Sequence, residues 1–116
     1  MIVASNHRYR ILLETPGGEK PILVRRDQTV WEAGQAAGIE LPAMCHQGRC
    51  LTCAGRVVGR AEFDHSAAAS YFPEDAAAGF VLLCSAKPRS DARIRTHQEN
   101  QMRQHRSSKG LPAPFA

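Results

Sequence analysis

The sequence predicts a small α+β domain, and three observations carry that prediction. Alternating apolar residues near the N-terminus predict a hairpin, a capped segment predicts one helix, and short apolar runs recur further along the chain. The 116 residues are 43% hydrophobic and 22% charged. Both values are close to the average of globular proteins, which excludes wholesale disorder. No apolar run reaches the roughly 18 residues that a membrane span needs.

The N-terminal hairpin is predicted from period-two alternation. In residues 7–14, Tyr9, Ile11 and Leu13 fall on one side, which is typical of a half-buried strand. Residues 15–19 read TPGGE, and their two glycines accept turn conformations without steric penalty. The apolar residues 22–24 follow closely, so we expect a second, antiparallel strand there.

The helix is predicted from its two ends. Thr29 and Glu32 match the capping box, in which a hydroxyl residue is followed three positions later by a carboxylate. Three apolar residues then share one helical face: Val30, Ala33 and Ala37. Gly38 is a natural stop, and Pro42 follows soon after. We therefore expect the helix to end near residue 37 or 38.

The second half of the chain predicts shorter elements. Residues 55–62 could form a third strand, and residues 92–96 alternate like a last one. Residues 67–71 and 73–78 resemble short helical turns, the second opening on a proline that a first helical position tolerates. Residues 80–83 form a short buried run that leads into a cysteine.

Positive charge is concentrated near the C-terminus. Residues 1–84 hold eight Lys or Arg against nine Asp or Glu, whereas residues 85–116 hold seven against two. We therefore divide the chain into a domain of residues 1–99 and a basic C-terminal extension of residues 100–116. Such an extension is typical of proteins that bind nucleic acid, an anionic membrane or an acidic partner, and equally of a solvated, partly disordered tail.

Four cysteines carry the chemistry. Cys45, Cys50, Cys53 and Cys84 are spaced C-x4-C-x2-C-x30-C, and residues 1–8 show no apolar segment of a secretory signal. Cysteines without an export signal favour metal binding or thiol chemistry over structural disulfides. The spacing is typical of plant-type [2Fe–2S] clusters, which need four thiolates, two on each iron. A tight loop supplies three of them and a distant segment the fourth.

Other interpretations of the cysteines remain open on spacing alone. A structural zinc site uses four thiolates too, but prefers two C-x2–4-C pairs, and here there is one. A thioredoxin-like redox pair at Cys50 and Cys53 leaves Cys45 and Cys84 without a role. Four unrelated buried thiols are a further alternative, although three cysteines within nine residues are not typical of core packing.

Residues 9–99 resemble a plant-type [2Fe–2S] ferredoxin of chloroplasts and cyanobacteria. The matching pieces are Leu41-Pro42, the C-x4-C-x2-C run, Cys53-Ala54-Gly55, the segment of residues 79–84 and Thr96-His97-Gln98-Glu99. The resemblance implies a β-grasp fold, a mixed sheet crossed by one main helix. It also implies one [2Fe–2S] cluster per chain, with Cys45 and Cys50 on the iron nearer the surface and Cys53 and Cys84 on the other.

The resemblance implies a soluble one-electron carrier of low potential rather than an enzyme. It would deliver electrons to a ferredoxin reductase, an oxygenase or another ferredoxin-dependent enzyme, as a monomer in the cytoplasm or the plastid stroma and without a nucleic-acid partner. Two alternatives are a cluster-dependent sensor and a dedicated electron-transfer subunit that docks through residues 100–116. In the second case the expected docking cations are Arg93, Arg95, Arg103, Arg106 and Lys109.

The chain departs from the family pattern in its cysteine loop and in its charge. The departures in the loop are His46, Arg49 and Leu51, whereas Thr52 fits the pattern. The family is usually strongly acidic, and this chain is not. Tyr71 or Phe72 occupies the region of an aromatic residue that the family uses for electron exchange with its reductase, and Glu99 lies at the place of a glutamate with the same role.

Overall fold

The computed structural model describes residues 7–43 and 51–113. In chain order the elements are β1 (Arg8–Thr15), β2 (Gly18–Arg25), α1 (Val30–Ala36), β3 (Ala54–Val57), β4 (Phe63–Asp64), α2 (Pro73–Ala77), β5 (Phe80–Leu82), β6 (Lys87–Pro88), β7 (Ala92–Arg95) and α3 (Glu99–Ser108). Among the described residues, no helix is long and apolar enough to cross a membrane.

The described strands form a mixed sheet. β1 and β2 make the expected antiparallel hairpin, in which Ile11 lies opposite Ile22 and the turn is closed by Gly18 at a φ of 117°. β1 also pairs in parallel with β7, so the five strands follow the order β2-β1-β7-β3-β5. A separate two-stranded sheet joins β4 and β6. The mixed sheet with one helix packed across it confirms the predicted α+β, β-grasp architecture.

Helix α1 confirms the predicted capping box. The Thr29 hydroxyl accepts a hydrogen bond from the backbone N–H of Glu32 at 3.1 Å, and the Glu32 carboxylate accepts one from the backbone N–H of Thr29 at 2.9 Å. The helix ends at Ala36, and Gly38 follows at a φ of 78°, a conformation that glycine adopts without strain. Its buried face packs on the inner side of the sheet against Ile11, Leu13 and other apolar residues.

Two elements differ from the predictions. The third strand ends at Val57 rather than at residue 62, because Gly59 at a φ of 86° turns the chain away from the sheet. Residues 67–71 do not form a helix; instead a turn closes where the N–H of Ala68 donates to the carbonyl of His65. The other predicted helical turn is confirmed as α2.

The largest correction concerns the C-terminal segment. A solvated, partly disordered tail is wrong for residues 99–108, because they form α3 and the side chains of Met102 and Arg106 are completely buried. The expectation that Arg106 is a free docking cation is wrong for the same reason. Met102 belongs to a buried cluster with Phe80 and Leu82 of β5. The helix therefore packs on the side of the sheet opposite to α1.

The outer side of the sheet thus has two unlike halves. The "covered half" consists of β3 and β5, whose outward side chains, among them Ala54, Phe80 and Leu82, are buried in the cluster that includes Met102 of α3. The "open half" consists of β2, β1 and β7. Its outward residues are Arg8, Arg10, Leu12, Glu14, Glu19, Pro21, Leu23, Arg25, Arg93 and Arg95. Most of these residues are exposed, and no described element packs over them.

Candidate functional site

The described part of the candidate site lies at one end of the covered half. Cys53 immediately precedes β3, and Cys84 follows β5 by two residues. The two strands are antiparallel neighbours, with Ala54 opposite Leu82, so the flanking cysteines are brought together. The N–H of Leu83 donates to the carbonyl of Cys53 at 3.1 Å. As a result the two sulfurs lie 3.0 Å apart, and both residues are buried.

Helix α1 fixes the backbone around Cys84. The N–H of Trp31 donates to the carbonyl of Leu83 at 2.9 Å, and the N–H of Val30 donates to the carbonyl of Ala86 at 3.1 Å. The indole N–H of Trp31 donates to the carbonyl of Leu41 at 3.0 Å. One residue of α1 therefore holds both the segment of the fourth cysteine and the chain that enters the cysteine loop.

The geometry of this cysteine pair fits two ligands of one metal ion. The two sulfurs do not form a disulfide, because their 3.0 Å separation is well beyond the roughly 2.05 Å of an S–S bond. Two thiolates bound tetrahedrally at about 2.3 Å from one metal lie nearly 4 Å apart, so a modest rotation of either side chain suffices. Cys45 and Cys50 fall outside the described residues. Within residues 7–43 and 51–113, no group of three or more His, Cys, Asp or Glu could hold a metal ion.

A buried hydroxyl beside Cys53 also fits a metal site with sulfur ligands. The Oγ1 atom of Thr52 is buried and has no hydrogen-bond partner within the described part of the chain. A buried polar atom without a partner costs free energy, on the order of 1–3 kcal/mol. A sulfur atom bound next to residues 50–53 would satisfy the Thr52 hydroxyl as a hydrogen-bond acceptor. Sequence reasoning noted only that Thr52 matches a pattern.

Leu51 shows how the departure from the family pattern is accommodated. Its side chain is completely buried, in the same cluster as Phe80 and Met102. An apolar residue at this position therefore contacts an apolar environment that includes a residue of α3. The sequence identified Leu51 as unusual, and the structure supplies the reason.

Sequence reasoning missed the polar cluster that holds α3 in place. The Arg106 guanidinium donates to both carboxylate oxygens of Asp75 at 2.9–3.1 Å, and both side chains are completely buried. The same guanidinium donates to the carbonyls of Ser70 at 3.1 Å and Pro112 at 2.7 Å. His105 contacts the Asp75 carboxylate at 3.0 Å as well. The i, i+4 spacing of Met102 and Arg106 was a signal that these two residues share one helical face.

The two candidate aromatic residues have structural contacts. The Tyr71 hydroxyl donates to the carbonyl of Phe80, and burial raises the pKa of Tyr71 well above its usual range. The ring of His65 stacks on Tyr71 with 3.9 Å between ring centroids. The ring of Phe72 lies beneath the guanidinium of Arg106, 4.8 Å away. Tyr71 and Phe72 thus anchor the segment between β4 and β5.

Glu99 begins α3 and is held by an ion pair. Its carboxylate accepts hydrogen bonds from Nε of Arg103 at 3.1 Å and from a terminal guanidinium nitrogen of Arg103 at 2.9 Å. Arg103 also donates to the carbonyl of Ala113 at 2.8 Å. Arg103, which the sequence suggested as a docking cation for an acidic partner, is therefore bound within α3 and the segment after it.

Comparison with known proteins identifies the family. The model of the 2Fe-2S iron-sulfur cluster binding domain matches residues 15–89. Ferredoxin-2 of Synechococcus is 40% identical over 94 residues, which cover 81% of this chain and 89% of the relative. Among solved structures, pectocin M2 matches with a TM-score of 0.71 at 28% identity, over 82% of this chain and 34% of that one. An Amycolatopsis cytochrome P450 reductase matches with a TM-score of 0.63 at 31% identity, over 73% of this chain and 25% of that one.

Proposed function

The chain belongs to the family of plant-type [2Fe–2S] ferredoxins, and from this premise we propose that four cysteines hold its cluster: Cys45, Cys50, Cys53 and Cys84. The protein binds one [2Fe–2S] cluster and is an electron carrier that delivers electrons to partner enzymes, not an enzyme itself.

One observation supports the ligand set most directly. The sulfurs of Cys53 and Cys84, 31 positions apart in sequence, lie 3.0 Å apart among buried residues. Two buried cysteine sulfurs side by side are what one iron of the cluster requires. The Thr52 hydroxyl, one residue away, has no partner among the residues that the structure describes and could donate a hydrogen bond to sulfur. Cys45 and Cys50 complete the set on the strength of the spacing.

The protein's part in electron transfer is to hold and shield the group. When bound, the cluster takes up and releases a single electron. Cys53 and Cys84 would hold one of its irons, and the apolar residues Leu51 and Phe80 lie in the same buried cluster as these two cysteines. Apolar burial disfavours added negative charge, whereas a hydrogen bond from Thr52 to sulfur favours it. The balance between these two effects tunes the potential at this site.

We propose a reductase or an oxygenase component as the redox partner. The similarity to a domain-sized part of a cytochrome P450 reductase supports this choice. As part of the same proposal, the carrier works in the cytoplasm as a monomer without a nucleic-acid partner. The contacts of α3 argue against docking through residues 100–116, because Arg103 and Arg106 are already bound within the protein. They argue equally against a sensor whose tail is released without cost.

Replacement of one ligand tests the ligand set. Cys84→Ser should lose most of the iron and acid-labile sulfide, because metal binding is part of the folding free energy of such a loop. Ser85→Ala is the matched control, since Ser85 is buried next to Cys84 and its hydroxyl donates to the carbonyl of Leu82. The control should retain the visible spectrum of the wild type and the rhombic electron-spin-resonance signal that follows one-electron reduction. Wild-type iron content in Cys84→Ser would contradict the assignment.

A further inference from the structure

We propose that the open half is a docking surface for an acidic protein segment that presents leucine-like side chains. At its centre, Leu12 of β1 lies opposite Pro21 of β2, and Leu23 lies one pair further along, opposite Arg10. The side of the hairpin that faces away from α1 therefore carries a contiguous apolar patch. Leu23 is 56% exposed, which is the largest exposure of any large apolar residue in the described chain.

Comparison of the two halves of the sheet shows that nothing within residues 7–43 and 51–113 covers this patch. On the covered half, Phe80 and Leu82 are buried with Met102 of α3. On the open half, none of the described elements contacts Leu23 in a buried cluster. An apolar patch with a charged rim is the usual anatomy of a protein interface. The rim at this surface is mostly arginine.

The charges indicate the sign of the partner. At one end of the open half, Arg93 is paired with Glu14 at 2.7 Å and with Glu19 at 3.2 Å. At the other end, the guanidinium groups of Arg8 and Arg10 have no hydrogen bond or ion pair to any described residue. The carboxylate next to them is that of Asp91, which accepts a hydrogen bond from the backbone N–H of Arg10 at 2.9 Å. Two cations without an ion pair to a described residue, beside an apolar patch, fit a segment in which carboxylates flank an apolar side chain.

A protein segment fits better than a nucleic acid or a membrane. The centre of the surface is Leu12, Pro21 and Leu23 rather than a continuous basic stripe, so it lacks the run of cations that phosphates require. Arg93 is also already paired with Glu14 and Glu19, which leaves fewer cations on this face for a uniformly anionic surface. A segment with separate acidic and apolar side chains meets both parts of the patch.

The position of the surface leaves the cysteine end free. β2 is four strands away from β5, which corresponds to about 19 Å at the usual strand spacing of about 4.8 Å. A partner on the open half would therefore not cover Cys84. The surface serves as an anchor, and binding to it is independent of the ligand set and of the redox partner.

Nuclear magnetic resonance titration of the full-length holoprotein tests the proposal. The probe is a synthetic peptide in which leucines alternate with glutamates, and a peptide with lysines in place of the glutamates is its counterpart. We expect the acidic peptide to shift the amide signals of Leu12 and Leu23 and to bind more weakly as salt is raised. Leu23→Ser and Arg10→Gln should each weaken binding at least fivefold.

Matched variants elsewhere keep the test specific. Arg60, which follows β3, and Lys109, which follows α3, are exposed cations outside the open half. Arg60→Gln and Lys109→Gln should bind the acidic peptide as the wild type does. The proposal is overturned if the peptide fails to bind at millimolar concentration, or if the variants of both places weaken it equally. It is also overturned if phosphatidylglycerol vesicles, a DNA duplex or a second copy of the chain occupies these residues more tightly.

Discussion

The covered half and the open half of the sheet consist of similar strands, but their outward side chains differ in burial. Phe80 of β5 and Leu23 of β2 both point away from α1, yet Phe80 is 2% exposed and Leu23 is 56% exposed. The difference arises from α3, which covers one of them and does not reach the other. Strand alternation thus determines which side chains point outward, while a distant part of the chain determines whether they meet protein or solvent.

The covered half also depends on a polar contact. Arg106 and Asp75 are both removed from water, which is costly for two charges unless their hydrogen bonds are satisfied. Here the guanidinium contacts two carboxylate oxygens and two carbonyls. The pair therefore fixes where α3 lies against α2, in addition to the apolar contact of Met102. On the open half, the charges remain in solvent.

The largest effect is expected from breaking the buried pair. Arg106→Met should lower the free energy of unfolding by about 3–5 kcal/mol, because it leaves the Asp75 carboxylate buried without its cation. Arg10→Met on the open half should leave it unchanged. Urea unfolding of the holoproteins measures both. The double variant Arg106→Met with Asp75→Asn should recover part of the loss; no recovery would show that the charge of Asp75 is not the cause.

The next largest effect is the difference in stability lost when an apolar side chain is truncated on each half. Met102→Ala removes a completely buried side chain and should destabilise the protein by about 2–5 kcal/mol. Leu23→Ala removes a mostly exposed one and should change stability by no more than about 0.5 kcal/mol. Thermal unfolding of the two variants side by side provides the comparison. Equal destabilisation would mean that the open half is covered by some segment of the chain in solution.

A smaller effect of pH on stability is expected at His65, whose ring stacks on Tyr71 beside the covered half. Burial lowers the pKa of His65, whose Nδ1 atom is buried without a hydrogen-bond partner among the described residues. The unfolded chain takes up the proton more readily, so stability should fall as pH drops below about 6.5 and level off below the folded pKa. His65→Phe keeps a ring stacked on Tyr71 and should lose this part of the pH dependence. Melting temperatures between pH 8 and pH 5 give the readout, and parallel curves for both proteins would refute it.

The smallest effect is expected from a surface charge on the open half. The hydrogen bond from Arg93 holds the pKa of the Glu14 carboxyl below its usual range, with a further contribution from Arg95. Arg93→Gln should raise that pKa towards its ordinary value, and Arg95→Gln should raise it less. Carboxyl chemical shifts followed over an acid titration measure both variants. If Arg95→Gln raised the pKa of Glu14 as much as or more than Arg93→Gln did, the larger contribution of Arg93 would be contradicted.

The sequence predicted the elements whose signals are local. The hairpin followed from the alternation in β1 and β2, and α1 followed from the capping box of Thr29 and Glu32. The cysteine spacing likewise predicted a [2Fe–2S] group, which membership of the family confirms. In each case a few neighbouring residues contain the whole signal.

The features that the sequence did not predict depend on contacts between residues far apart in the chain. No residue near Arg106 in sequence indicates that its partner is Asp75, 31 positions earlier. A segment rich in Gln, Arg and Ser was therefore interpreted as a solvated tail. The third strand was predicted too long because its end is set by the backbone of Gly59 and not by a loss of apolar residues. That the Thr52 hydroxyl is buried without a partner among the described residues follows only from the positions of the surrounding atoms.

The parallel pairing of β1 with β7 has a consequence for synthesis of the chain on the ribosome. Ile11 lies beside Ala92, so the inner strand of the N-terminal hairpin meets its second neighbour only after more than 80 residues have been translated. Until then Ile11 and Leu13 lack part of their burial, and contacts between such distant residues form slowly. A nascent chain that is stalled or cut before residue 92 therefore presents an unpaired, apolar strand, which makes it a substrate for chaperones and proteases.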